Sequence, residues 1–121
     1  LAAACVRASA LRHAGVVQRV FTPQGGFEVQ RGKDLRRVSR LVGSGGFLAG
    51  LDDPSLLLEV RAPGSIDPDT RHLVPEDPAC YADAHYLIPL LGNLAAEFPD
   101  AAARAAVAGL KLLTPLSDRK A

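Results

Sequence analysis

Apolar and small residues recur at spacings of three and four from Leu1 to Arg12, where Ala2, Cys5, Val6, Ser9 and Ala10 share one side. That period predicts a helix, with Arg7 and Arg12 free to reach water. Its small side chains suit close approach to a sheet. His13-Ala14-Gly15 predicts the helix end, with Gly15 in the left-handed cap conformation. From Val16 the period falls to two. Val16 to Phe21 and Phe27 to Arg31 read as a β-hairpin, in which Phe27 and Val29 alternate with Glu28 and Gln30. Thr22-Pro23-Gln24-Gly25-Gly26 predicts the connecting turn, because Pro fixes φ and Gly accepts positive values.

Gly32-Lys33-Asp34 reads as a second turn, and Val38 to Val42 as a short strand running into Gly43-Ser44-Gly45-Gly46. Asp53 and Pro54 predict a short helix through Val60, with Asp53 as N-cap and Pro54 in the first position. Ala62 to Ala82 is rich in Pro, Gly and Asp and predicts an irregular excursion. Two helices are expected to follow. One covers about Tyr86 to Glu97, with Leu87, Leu91 and Leu94 on one stripe. The other runs from about Pro99 to Leu113, with Ala103, Ala106, Val107, Leu110 and Leu113 facing inward, and is stopped by Pro115. The fold class is α/β: a small sheet with a β-hairpin, flanked by helices.

Composition supports this picture. The chain has 121 residues, 48% hydrophobic but only 5% aromatic and without Trp, so the core is expected from Leu, Val and Ala. This length suits a single domain over residues 1–121. Fourteen basic residues face 13 acidic ones, a net charge of +1 that leaves no electrostatic footprint for nucleic acid or an anionic membrane. The run Arg31, Lys33, Arg36, Arg37 and Arg40, with Asp34 inside it, reads as a solvated face. Cys5 and Cys80 lack metal-binding spacing and are expected to be reduced and buried in a cytoplasmic protein. No signal peptide or membrane span is visible. The chain begins at Leu1 and contains no Met, as expected of a piece of a longer protein.

The sharpest chemical feature is Leu41-Val42-Gly43-Ser44-Gly45-Gly46. Consecutive glycines after a buried strand let backbone turn tightly or lie against a flat or anionic ligand. In α/β folds, ligands bind outside the carboxyl ends of strands. An ordinary tight turn is the alternative. The run lacks the Lys-Ser/Thr of a Walker A loop and the spacing of GxGxxG. Ser44 has no GxSxG elbow and no evident His partner. His13, His72 and His85 show no metal-ligand spacing. His13 reads as a helix cap and His85, near Asp83, as a hydrogen-bonding group at a helix start. Asp67 and Asp69 read as turn formers, and Asp52 and Asp53 as servants of a helix start.

Several segments in order resemble one family. Arg12-His13-Ala14-Gly15, Gln30-Arg31-Gly32-Lys33-Asp34-Leu35 and Leu41-Val42-Gly43-Ser44-Gly45-Gly46 are followed by Asp83, Tyr86, Leu91-Gly92, Leu94-Ala95 and Phe98-Pro99-Asp100-Ala101-Ala102. This order is similar to the C-terminal part of the MutL family associated with glutamate mutase, which is distinct from the mismatch-repair protein of the same name. Ser44 stands where that family usually has Thr. Pro89 falls inside the penultimate helix, which must then kink or begin near Ile88. The resemblance implies a ribonuclease-H-like lobe of the actin, sugar-kinase and Hsp70 ATPase superfamily. It implies that Gly43, Ser44, Gly45 and Gly46 form the adenosine-binding loop of an ATP site. It further implies a reactivating or chaperone-like factor for adenosylcobalamin-dependent aminomutases. The phosphate hairpins and Mg²⁺ ligands would come from a missing N-terminal ATPase lobe, so this chain would not be catalytic alone. The rival reading is an interaction module whose apolar C-terminal helices and 62–82 excursion dock a mutase subunit or that lobe. An independent small hydrolase is disfavoured, because no nucleophile–base pair is visible. Self-association through Leu1 to Ala10 and Leu110 to Leu116 is expected of a lobe parted from its partner.

Overall fold

A computed structural model describes residues 1–61 and 67–115. The elements are α1 (Ala2–His13), β1 (Val16–Thr22), β2 (Gly25–Arg31), β3 (Arg40–Gly43), β4 (Thr70–His72), β5 (Ala79–Asp83), α2 (Ile88–Leu94), α3 (Pro99–Ala108) and β6 (Leu110–Leu112), with 3₁₀ turns at Leu48–Gly50 and Leu57–Arg61. The chain is α/β, as expected, but it carries two three-stranded sheets where one was predicted, ordered β2-β1-β4 and β3-β5-β6. The chain divides into two compact units. Leu1–Ser39 with Leu56–Pro78 form the first, and Arg40–Ser55 with the described residues from Ala79 onward form the second.

In the first unit, β1 and β2 make the predicted antiparallel hairpin, with Thr22 paired to Gly25 across a two-residue Pro23-Gln24 turn. Gly25 has φ of 130°, the value that a residue with a side chain would resist. β4 adds to the other edge of β1, with Val16 opposite His72. This strand lies inside the excursion predicted to be irregular. Its Thr-Arg-His sequence is too short for a period to show, and Asp67 starts it by accepting from the Asp69 N–H (3.0 Å) and the Thr70 hydroxyl (2.7 Å). Residues 62–66 of the excursion lie outside the described residues.

The helix predicted from Leu1 is present, but its end differs from expectation. Ala14, in extended conformation, follows α1 and bonds back to the Ala10 carbonyl. Gly15 is not left-handed. Its role is close approach: its N–H donates to the Lys33 carbonyl (2.6 Å), and its own carbonyl accepts from the Leu73 N–H (2.8 Å). A Cβ on Gly15 would sit 2.4 Å from the Arg31 carbonyl oxygen, so only glycine fits. α1 packs on the Leu57–Arg61 turn, joined by an Arg7–Glu59 ion pair of 2.6 Å, and buries no residue completely. Cys5 on α1 is exposed, contrary to expectation, whereas Cys80 is buried. The short helix expected from Pro54 to Val60 is a 3₁₀ turn that starts only at Leu57. Asp53 spends its carboxylate on the nearby Ser55 N–H (2.9 Å). Asp34 grips Arg36 in the basic run at 2.7 Å, and that bond holds its carboxyl down to about 2 from the usual 3.8. The other basic residues of the run are exposed, as a solvated face requires.

In the second unit, β3 and β5 are parallel, with Gly43 level with Ala82, and β6 pairs antiparallel to β5. Cys80, Ala82, Ala102 and Leu113 form its buried apolar centre. α2 begins at Ile88 with Pro89 in its first turn, one of the two outcomes that this proline allowed. α3 ends at Ala108 rather than Leu113. Gly109 caps it, and Leu110–Leu112 leave as β6, where Leu113 donates its N–H to the Cys80 carbonyl (2.8 Å). The expected inward stripe on this helix is corrected with it: Ala102 is buried, while Ala103 is exposed and Val107 is 69% exposed. Among the described residues no helix is long and apolar enough to cross a membrane.

Candidate functional site

Two loops leave the carboxyl ends of the parallel strands β3 and β5. The first is the glycine run. Gly43 is the last residue of β3 and is buried, and Ser44-Gly45-Gly46 lead toward the 3₁₀ turn at Leu48–Gly50. The structure therefore brings all four predicted site residues together at a strand's carboxyl end. Gly45 has φ of 130°, a conformation that disfavours side chains. The positions that a Cβ would occupy on Gly45 and Gly46 meet no atom within 4 Å. These two glycines thus present bare backbone to open space, the surface on which a flat group can lie.

The second loop starts with Asp83, the fully buried last residue of β5. Its carboxylate accepts three hydrogen bonds. Ser44 donates its hydroxyl to Oδ2 (3.0 Å), Leu87 donates its N–H to Oδ1 (3.0 Å), and Ile88 donates its N–H to Oδ2 (2.9 Å). One carboxylate thereby ties the glycine run to the start of α2 and satisfies two amides that a helix leaves unpaired. Burial alone would push the Asp83 carboxyl up. The Ile88 and Leu87 amides, the Ser44 hydroxyl and the His85 charge outweigh it, so the carboxyl lies below the ordinary range. Sequence reasoning assigned the helix-start bond to His85, but Asp83 makes it. The signal was available: an acidic residue four positions before Leu87, where Pro89 marks the first turn.

Ser44 donates its hydroxyl to Asp83, a bond that ties the glycine run to the end of β5. His13 is the last residue of α1 itself, and Ala14 rather than His13 occupies the cap position. His72 in β4 has a buried Nδ1 without a hydrogen-bond partner. Among the described residues no three His, Cys, Asp or Glu side chains gather where they could hold a metal ion.

A glycine run closing one of two parallel strands lies at the sheet end where open α/β folds bind ligands, a placement shared by many families. Comparison with known proteins narrows it: the family model described as MutL protein matches residues 1–109, and the chain belongs to the MutL family. It is similar to Protein MutL of Clostridium tetanomorphum, 39% identical over 94 residues that cover 77% of this chain and 20% of that relative. The chain thus spans about a fifth of the length of the curated relative it matches. No solved structure matches it.

Proposed function

We propose that this chain supplies the adenosine-contacting surface of an ATP-dependent, glutamate-mutase-associated MutL protein. That protein acts in the cytoplasm as a reactivating or chaperone-like factor for an adenosylcobalamin-dependent aminomutase. The observation that carries the reading is the run Gly43 to Gly46 at the carboxyl end of parallel β3, open at Gly45 and Gly46 and bonded through Ser44 to Asp83. The chain then belongs to a ribonuclease-H-like lobe of an actin-like ATPase. The phosphate hairpins and Mg²⁺ ligands come from elsewhere in the longer polypeptide, where positioning and electrostatics at the γ-phosphate would operate. Calorimetric titration of Mg-ATP into the full-length protein is expected to show binding, and its absence would overturn the reading. The 121-residue chain alone is expected to release no phosphate from Mg-ATP above the protein-free rate. Steady turnover that disappears on mutating a residue of this chain would contradict that division of labour.

One observation favours a second reading, docking of a mutase subunit or of the remaining ATPase lobe. Leu90 is 67% exposed and Leu94 45% exposed on α2, and Phe98, 55% exposed, follows them. Such a run of uncovered apolar side chains suits a protein interface. The two readings are compatible, because adenosine contact uses the sheet end and docking uses the helices.

A further inference from the structure

Tyr86 has φ of 54° and is the one non-glycine residue with positive φ among the described residues. It sits in the turn that carries the chain from β5 to α2. Left-handed backbone is disfavoured for a bulky aromatic residue and is free for glycine. The conformation is imposed from Asp83: the Tyr86 N–H donates to the Asp83 carbonyl (3.0 Å), and the next two amides, of Leu87 and Ile88, are held by the Asp83 carboxylate. Packing does not repay the strain, since Tyr86 is 48% exposed.

Strain of this kind collects where a side chain must be presented to a ligand. The chain has only six aromatic residues, four Phe and two Tyr. Two of them follow the two loops at this sheet end: Tyr86 after Asp83, and Phe47, 72% exposed, directly after Gly46. Asp83 and Ser44 are bonded to each other, so the two loops start side by side. We infer that Tyr86 is a ligand-facing residue that presents its ring to the planar base of a nucleoside lying on Gly45 and Gly46, with Asp83 as the positioning residue that holds it there. The inference rests on the adenosine reading above and adds a specificity residue to it.

The test is titration of the full-length protein with adenosine and with Mg-ATP, alongside thermal unfolding. Tyr86→Phe keeps the ring and is expected to bind both ligands within about twofold of the unmodified protein. Tyr86→Ala is expected to lose about tenfold or more in affinity for both, the size of one base–aromatic stack. Tyr86→Gly is expected to lose the same affinity while its Tm rises, because the strain is relieved. A purely structural tyrosine would lower Tm on replacement by glycine. Tyr86→Gly protein that binds as tightly as the unmodified protein, or that melts earlier, overturns the inference. If Gly46→Leu abolishes binding while the Tyr86 variants bind normally, this inference falls and the glycine-loop reading stands. If the unmodified protein binds neither ligand, both fall.

Discussion

Asp83→Ala is expected to lower the thermal unfolding midpoint of the chain by about 10 °C or more, the largest loss from any single polar side chain in it. Three donors lose their acceptor together: the Ser44 hydroxyl and the Leu87 and Ile88 amides. Removing one partner of a buried hydrogen bond costs more than the bond contributes, because the group left behind is desolvated and unpaired. Asp83→Asn is expected to lose less, since its amide oxygen can still accept from the helix start. The pH dependence has a definite sign. The folded-state pKa of Asp83 is depressed, so its contribution is complete above the ordinary carboxylate range and fades as pH falls below that range through the folded value. The unmodified chain should therefore lose more stability on acidification than Asp83→Asn does. Equal acid sensitivity in the two would show that the carboxylate charge is not engaged.

Gly15→Ala is the second large loss, about 3 kcal/mol by analogy with overpacked interiors. The added Cβ would lie 2.4 Å from the Arg31 carbonyl oxygen and 2.8 Å from the Lys33 nitrogen, and both are backbone atoms that cannot rotate away. Relief would come only by breaking the Gly15–Lys33 and Gly15–Leu73 hydrogen bonds that join the end of α1 to two neighbouring segments. Gly92→Ala in α2 is the control, because its Cβ meets nothing within 4 Å and lies in a helix. It is expected to be neutral or to gain up to about 1 kcal/mol. Chemical denaturation of the three proteins measures both, and similar midpoints for Gly15→Ala and Gly92→Ala would contradict the close-approach account.

The first helix, the hairpin and the placement of the glycine run were legible because each is carried by local pattern. The α1 period, the Phe27–Gln30 alternation and the Gly43–Gly46 run need no knowledge of partners. What escaped depends on neighbours distant in sequence. Thr70–His72 is a strand because the edge of β1 accepts it, and Ala79–Asp83 is a strand because β3 and β6 flank it. Leu110–Leu112 looked helical because Ala and Leu continue the α3 composition, but Gly109 ends the helix and β5 offers an open edge. In the candidate site, the glycines were visible from sequence and their brace was not. Asp83 lies 39 residues from Ser44, and only the parallel pairing of β3 with β5 brings the two level.

We propose Gly43 to Gly46 as a ligand surface rather than a plain turn, and Gly46→Leu tests this most directly. Gly45 is the less clean position, because its φ of 130° would strain any substitute. Gly46 has no such φ, and a Cβ there meets nothing within 4 Å, so a leucine adds bulk over the loop without a clash at its Cβ. Calorimetric titration of Mg-ATP into the full-length protein should show binding for the unmodified form and a loss of at least about a hundredfold for Gly46→Leu, with circular dichroism and Tm unchanged. Folded Gly46→Leu protein that binds ATP as tightly as the unmodified protein would contradict the account and leave the glycine run a turn.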